Sequence, residues 1–178
     1  MDRSKVPAVL SIAGSDSSGG AGIQADIKTI TAHRLYAETA ITAITAQNTL
    51  GVTAVQNISP DIVAAQIDAV FDDIRPNAVK IGMVSSAEIN DVIADRLSAW
   101  NATNVVVDPV MVATSGARLI AEDAAEALTR RLFPLATVIT PNIPEAMALL
   151  DYEVDSERTQ QNAAMLLTRR FGCASLVK

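Results

Sequence analysis

Cysteine and histidine are almost missing from these 178 residues: Cys173 and His33 each stand alone. A single cysteine excludes an internal disulfide and a cysteine-rich metal cluster, and it fits a reducing compartment. A single histidine leaves no His–Cys set for zinc and no plausible Ser–His pair for hydrolysis. His33 falls toward the end of a helical segment, where a cation is mildly favoured, and it has no evident catalytic partner. Aromatic residues make up only 3%, so the core must be aliphatic. Positive charge is in deficit: Lys plus Arg total 14 against 20 for Asp plus Glu, a net charge of −6. Such a chain has no broad field to draw nucleic acid or anionic membrane, although a local basic pocket stays open to it. No apolar run reaches the length of a membrane-spanning helix. Arg3 and Lys5 ahead of the apolar stretch 6–13 imitate a signal peptide, but Pro7 and Ser11 interrupt it and a glycine-rich loop follows at once. A buried first strand and a cytoplasmic protein are the expectation.

What is present is apolar substance, 49% of the residues, with no internal repeat and no linker. Residues 1–178 therefore read as a single domain. Apolar β-prone runs alternate with segments of helical period. Val9 to Ala13, Thr39 to Thr45, Val52 to Ile58, Ala78 to Ile81, Asn104 to Val107, Thr137 to Thr140 and Ser175 to Lys178 read as extended. Ile23, Ile27 and Ile30 share one helical face. Ser59 and Pro60 open a helix carrying Val63, Ile67, Val70, Phe71 and Ile74, ended by Pro76. Ser85 and Glu88 have capping-box spacing ahead of Ile89, Val92, Ile93, Leu97 and Trp100. Ala124, Ala125, Leu128 and Leu132 form a further apolar face. Helices are also expected over 144–150 and 156–171. Strand–helix alternation predicts an α/β fold: a mostly parallel sheet with helices on both faces. Sites in such sheets lie just beyond the carboxyl ends of the strands.

Polar clusters fall at those ends. Gly14-Ser15-Asp16-Ser17-Ser18-Gly19-Gly20-Ala21-Gly22 joins the first strand to the first helix. Its backbone N–H groups and the helix N-terminus suit an anion or a polar ligand. It is not a P-loop, because Gly20-Ala21 stand where Lys-Ser/Thr is needed. It is a poor dinucleotide fingerprint, because Gln47 and Asn48 occupy the strand end where an acidic residue belongs. Asp26 is either a helix-start acid or an acceptor facing the same pocket. Gln47 offers both a donor and an acceptor to a heterocycle edge. Asp108 ends a strand ahead of Pro109, Met111 and a loop with Thr114, Ser115 and Gly116. Asn142 and Glu145 have N-x-x-E spacing across a helix start, which suits either a Mg²⁺ water shell or a capping box. Cys173, in a short Gly-Cys-Ala connection, reads as a small buried residue.

Taken in order, the segments 13–26, Thr45-Ala46-Gln47-Asn48-Thr49, Lys80-Ile81-Gly82-Met83, Val107-Asp108-Pro109-Val110-Met111 and Thr140-Pro141-Asn142-Ile143-Pro144-Glu145-Ala146 closely resemble the hydroxymethylpyrimidine/phosphomethylpyrimidine kinases of thiamine biosynthesis. The glycine loop and Gln47 carry that resemblance, and the Asn142/Glu145 pair is shared with the wider ribokinase-like superfamily. The resemblance implies a three-layer ribokinase-like fold, ATP and Mg²⁺ as cofactors, and a homodimer. It implies phosphoryl transfer to 4-amino-5-hydroxymethyl-2-methylpyrimidine and then to its monophosphate. Carried over by position, Gly14, Asp26, Gln47, Met83 and Val110 line the pyrimidine pocket. Asp108 and Glu145 organise the metal, Asn142 and Lys178 serve the nucleotide, and Asp108 and Lys178 act in catalysis.

Members of the family continue past the residue matching Lys178 with Gly-Gly-His and later a Gly-Thr-Gly-Cys loop, which supplies an anion hole and an active-site cysteine. Cys173 does not match that cysteine. The resemblance thus covers the N-terminal portion of a kinase, and residues 1–178 alone are expected to turn over poorly, with Lys178 frayed. Two other readings follow: a pyridoxine- or pyridoxal-type kinase of the same superfamily, and a non-catalytic fragment that keeps only ligand binding or oligomerisation.

Overall fold

The computed structural model describes residues 6–111 and 121–178. Arg3, Lys5, Thr114, Ser115 and Gly116 lie outside them. Among the described residues six strands form one parallel sheet in the order β2-β1-β5-β6-β7-β8. These are β1 (Ala8–Ala13), β2 (Tyr36–Ile41), β5 (Ala78–Ile81), β6 (Val105–Val107), β7 (Val138–Ile139) and β8 (Ala174–Ser175). The remaining two, β3 (Ala43–Asn48) and β4 (Gly51–Asn57), make a separate antiparallel hairpin. The helices are α1 (Gly22–Ala32), α2 (Pro60–Asp73), α3 (Ala87–Ala99), α4 (Glu122–Ala127), α5 (Ile143–Leu150) and α6 (Glu157–Phe171).

The pleat divides the helices unevenly. Leu10 and Ile12 of β1 join one apolar cluster with Val63, Ile67, Ile89, Ile93, Leu128, Leu149 and Leu167, so α2 to α6 share one face. Ser11, between them, points the other way and bonds to α1 through Asp26. Val79, Ile81, Val105, Val107 and Ile139 complete the core on the crowded side. Period-two alternation does this sorting, with Lys80, Val106 and Val138 left half-buried on the α1 side.

Several expectations are corrected. The run Thr39–Thr45 is not one strand. Thr42 makes the last rung with β1, its N–H donating to Ala13 O at 3.0 Å, and the chain then leaves the sheet as β3. Val52–Ile58 does not join the parallel sheet either. The turn between β3 and β4 is too short for a crossover, so they pair antiparallel. Asn48 fixes that turn by accepting from the N–H groups of Leu50 and Gly51 at 2.8 and 3.2 Å. The capping box at Ser85 and Glu88 is absent. Ser86 holds the N-cap position without a side-chain bond, and Ser85 Oγ donates to Asn57 at 2.8 Å. Ile27 and Ile74 are exposed, each at the margin of its helix's apolar stripe. The helix after α4 widens into one π turn (Leu128–Leu132) and a 3₁₀ turn (Phe133–Leu135).

One buried charge is out of keeping with this core. Glu38 of β2 is 8% exposed, and its Oε2 has no hydrogen-bond partner. Burial, and then the carboxylate of Asp73, push its carboxyl up to about 7. A raised carboxyl contributes stability that is full below about pH 4.5 and is lost as pH rises through about 7. Glu38→Gln should therefore match the parent in urea unfolding at pH 4. At pH 8 it should be more stable by about 1–3 kcal/mol, allowing for solvent at the rim. Equal midpoints at pH 8 would contradict this.

Candidate functional site

The sheet order places β1 between β2 and β5, so the chain reverses its direction of growth at β1. The crevice at such a reversal, outside the carboxyl ends, is where α/β sheets bind ligands. Gly14 sits there. A Cβ added to it would lie 2.9 Å from Met83 Cε and 3.7 Å from Ala43 O, so the glycine lets β1, β3 and the segment after β5 converge. Gly22 is more constrained, with φ +56° and a virtual Cβ 2.4 Å from Gly14 O. That oxygen accepts from Ile23 N at 3.0 Å, the first turn of α1.

The loop between these glycines is not an open cradle. Asp16, only 2% exposed, fills it from within. Its Oδ1 accepts from Ser18 N and Ser18 Oγ at 2.8 and 2.7 Å, and its Oδ2 from Gly20 N and Ala21 N at 3.0 and 2.8 Å. The Ser18 hydroxyl, followed by the backbone N–H groups, holds this carboxyl below the usual range against its own burial. The N–H groups that the sequence offered to an outside anion are therefore taken by an internal one.

The loop is stitched to the hairpin. Ser15 N donates to Ala43 O at 2.8 Å, and Thr45 Oγ1 to Ser15 O at 2.6 Å. Gln47 N donates to Ser17 Oγ at 2.8 Å, and Ser17 Oγ to Gln47 O at 2.6 Å. Thr42 Oγ1 donates to Met83 O at 3.1 Å. Gln47, half-buried, is thereby carried to the crevice on a strand outside the main sheet. Asp26 is placed differently, on the α1 side. It accepts from Ser11 Oγ at 2.6 Å and from Lys80 Nζ at 2.8 and 3.1 Å. Gly82 makes room for that ammonium, which lies 2.8 Å from where a Cβ would stand.

A second group gathers at the ends of β6, β7 and β8. Lys178 Nζ and Asp108 Oδ1 are 2.9 Å apart, both partly exposed. Lys178 is not frayed: its N–H donates to Pro141 O and its carbonyl accepts from Ile143 N, each at 3.0 Å. Asn142 and Glu145 form a capping box at the start of α5. Glu145 is 1% exposed, and its oxygens accept from Met111 N at 2.9 Å and Asn142 N at 2.8 Å. That bond to Met111 anchors the turn after Asp108, where Val110 has φ +40°. A β-branched residue seldom adopts that conformation, so it needs holding in place.

Gly14 and Met83 thus meet at the end of β1, and Gln47 is tied to the adjoining loop through Ser17. Asp108, Val110, Asn142, Glu145 and Lys178 lie along the same edge, while Asp26 serves a Ser11–Lys80 network. Among the described residues no three His, Cys, Asp or Glu side chains converge as a metal cage. The donor set fits a metal that keeps most of its waters and its phosphate ligands, with Asp108 the accessible carboxylate. Sequence reasoning missed Ser15, Ser17, Ser11 and Lys80, whose bonds depend on tertiary register. Lys80 stands beside Ser11 through the register of β1 against β5, which no local pattern in the sequence signals. Cys173 is buried, and burial pushes its thiol up. No helix among the described residues is long and apolar enough to cross a membrane. An open groove of about 520 Å³ between α2 and α3, lined by Asp68, Asp72, Arg96 and Trp100, lies away from the strand ends.

The family described as phosphomethylpyrimidine kinase matches residues 16–178. Hydroxymethylpyrimidine/phosphomethylpyrimidine kinase of Rhizobium meliloti is 54% identical over 162 residues, 89% of this chain and 60% of that protein. The chain thus spans less than two thirds of that relative's length. The crystal structure of phosphomethylpyrimidine kinase from Clostridium difficile superposes with a TM-score of 0.91 at 47% identity, covering 97% of this chain and 74% of that one. An ADP complex of Bacillus subtilis pyridoxal kinase gives 0.84 at 38% identity, over 94% of this chain and 64% of that one.

Proposed function

Because the chain belongs to the phosphomethylpyrimidine kinase family, we propose that it serves ATP- and Mg²⁺-dependent phosphorylation of 4-amino-5-hydroxymethyl-2-methylpyrimidine and then of its monophosphate. The supporting observation is the meeting of Gly14 and Met83 at the end of β1, with Gln47 tied to the adjoining loop, beside the Asp108–Lys178 pair on the same sheet edge. Gln47 reads the aminopyrimidine edge with its amide, while Gly14, Met83 and Val110 wall the ring. Asp26, held by Lys80, keeps lone pairs for a donor on the substrate. Lys178 moves from Asp108 to phosphate oxygens, and Asn142 adds polar contact there. Bound Mg²⁺ supplies charge neutralisation on the phosphates, with Asp108 as its protein ligand. Glu145 holds the turn that aims Asp108. This is a division of labour in which positioning and electrostatics carry phosphoryl transfer.

The test is calorimetry with the pyrimidine alcohol, followed by an ATP-dependent phosphorylation assay on the same preparation. Gln47→Leu should weaken pyrimidine binding by about 1–3 kcal/mol, since a heterocycle edge is left unpaired. Unchanged affinity would remove Gln47 from the pocket. The likeness to a pyridoxal kinase supports a second reading, in which a pyridoxal-type alcohol takes the same crevice. Tighter binding of pyridoxal than of the pyrimidine would favour it.

A further inference from the structure

Away from the strand ends, β2 and the end of α2 enclose a groove of about 290 Å³. Its walls are Tyr36, Ala37, Val70 and Ile74, with Glu38 and Asp73 also in the lining. Glu38 is more than nine-tenths buried, and its Oε2 is unpartnered. Among the described residues no cation pairs with either acid. The neighbouring Arg75 is turned away, its guanidinium bonded to the carbonyls of Trp100 and Asn101 and lying over Phe71. Lys80 projects from the opposite face of the sheet, toward Asp26. From β1, the residue level with Glu38 is Leu10, which carries no charge. The phenol of Tyr36 is the remaining titratable group in the lining.

Two acids against aliphatic walls make a poor metal site. Ca²⁺ takes about six to eight oxygens, and Mg²⁺ gives up its water reluctantly. They suit a cation that spreads its charge over several N–H donors and brings an apolar stem of its own. We propose that the groove between β2 and α2 binds a small organic cation, a guanidinium or ammonium on a short aliphatic stem, with Glu38 and Asp73 receiving the charged head and Val70 and Ile74 the stem. The site is independent of the pyrimidine crevice, on another part of the sheet. Binding takes the ionised form of Glu38, so the proton it holds near neutrality leaves as the cation enters.

The experiment is calorimetry on the 178-residue chain with agmatine, with n-butylurea as its neutral counterpart, and with CaCl₂. Agmatine should bind, about tenfold more tightly at pH 8 than at pH 6, with proton release detected from the buffer dependence of the heat. Butylurea should bind at least about tenfold more weakly. Glu38→Gln and Asp73→Asn should each weaken agmatine about 10- to 100-fold, the second variant standing in should the first fail to fold. Equal affinity in both variants, no agmatine heat at millimolar concentration, or calcium bound more tightly than agmatine would each overturn the proposal. Loss of pyrimidine binding in Gln47→Leu has no bearing on it.

Discussion

Replacing Gly22 by alanine should lower unfolding free energy by about 2–4 kcal/mol and abolish pyrimidine binding. Two costs combine at this position. The backbone is left-handed, with φ +56°, and a methyl would stand 2.4 Å from Gly14 O and 3.2 Å from Asp16 N. Both neighbours are main chain, so neither can swing aside. Gly14 O also holds Ile23 N, so displacing it unseats the first turn of α1. Two other glycines provide the comparison. Gly19 has φ +77°, but its virtual Cβ meets only the flexible end of Lys28 at 2.9 Å. Gly172 has φ +72° with nothing within 4 Å. Alanine at either should cost about 1 kcal/mol. Urea midpoints in which all three variants fall together would show that the close approach at Gly22 carries no weight.

Glu145→Gln should cost about 2–4 kcal/mol and, in a chain carried on to the length of its relatives, lower turnover about a hundredfold, with pyrimidine affinity falling far less. Both oxygens of Glu145 accept backbone N–H bonds. An amide offers one acceptor and sets an NH₂ group against the other donor. The side chain is 1% exposed, so water cannot make up the loss. Once Met111 is released, Val110 has no reason to stay at φ +40°, and the turn that aims Asp108 relaxes. The separation of effects comes from location, because of the ring's proposed walls only Val110 belongs to the turn that Glu145 holds, while Gly14 and Met83 stand at the ends of β1 and β5. Urea unfolding, turnover at saturating Mg²⁺ and calorimetry read the three quantities separately. Equal turnover would reduce Glu145 to a helix-start acid.

The parts of this fold that were legible in the sequence are those governed by local chemistry. Ala78 to Ile81 reads as a strand and is β5. Ser59-Pro60 announces α2, and Val63, Ile67 and Phe71 are buried as their spacing requires. The Asn142/Glu145 spacing left two meanings open, and the capping box among them is present. What could not be read depends on where distant segments meet. A continuous β-branched run does not disclose that Thr42 turns it out of the sheet. A glycine loop does not disclose that its own aspartate will occupy its N–H groups, because Asp16 looks like any acid in a turn. Asp26 gives no sign in sequence of Ser11 and Lys80, which reach it through the register of β1 and β5.

The stitching of Ser15 and Ser17 to β3 has a consequence for fluctuations. The hairpin is thin: every residue of β4 is exposed, and Leu50 at its tip is 95% exposed. An isolated two-stranded ribbon is marginal in water, so it draws its order from the seam with the glycine loop. Loop and ribbon must then open and close as one cooperative unit, with the Thr42 bonds to Ala13 and Met83 as its root. A molecule that settles against Gly14 stiffens that whole unit. Its arrival should be felt as slowed amide exchange along β3 as far as the Asn48 turn, in residues that never touch it. The crevice would report its occupancy at the far end of the ribbon.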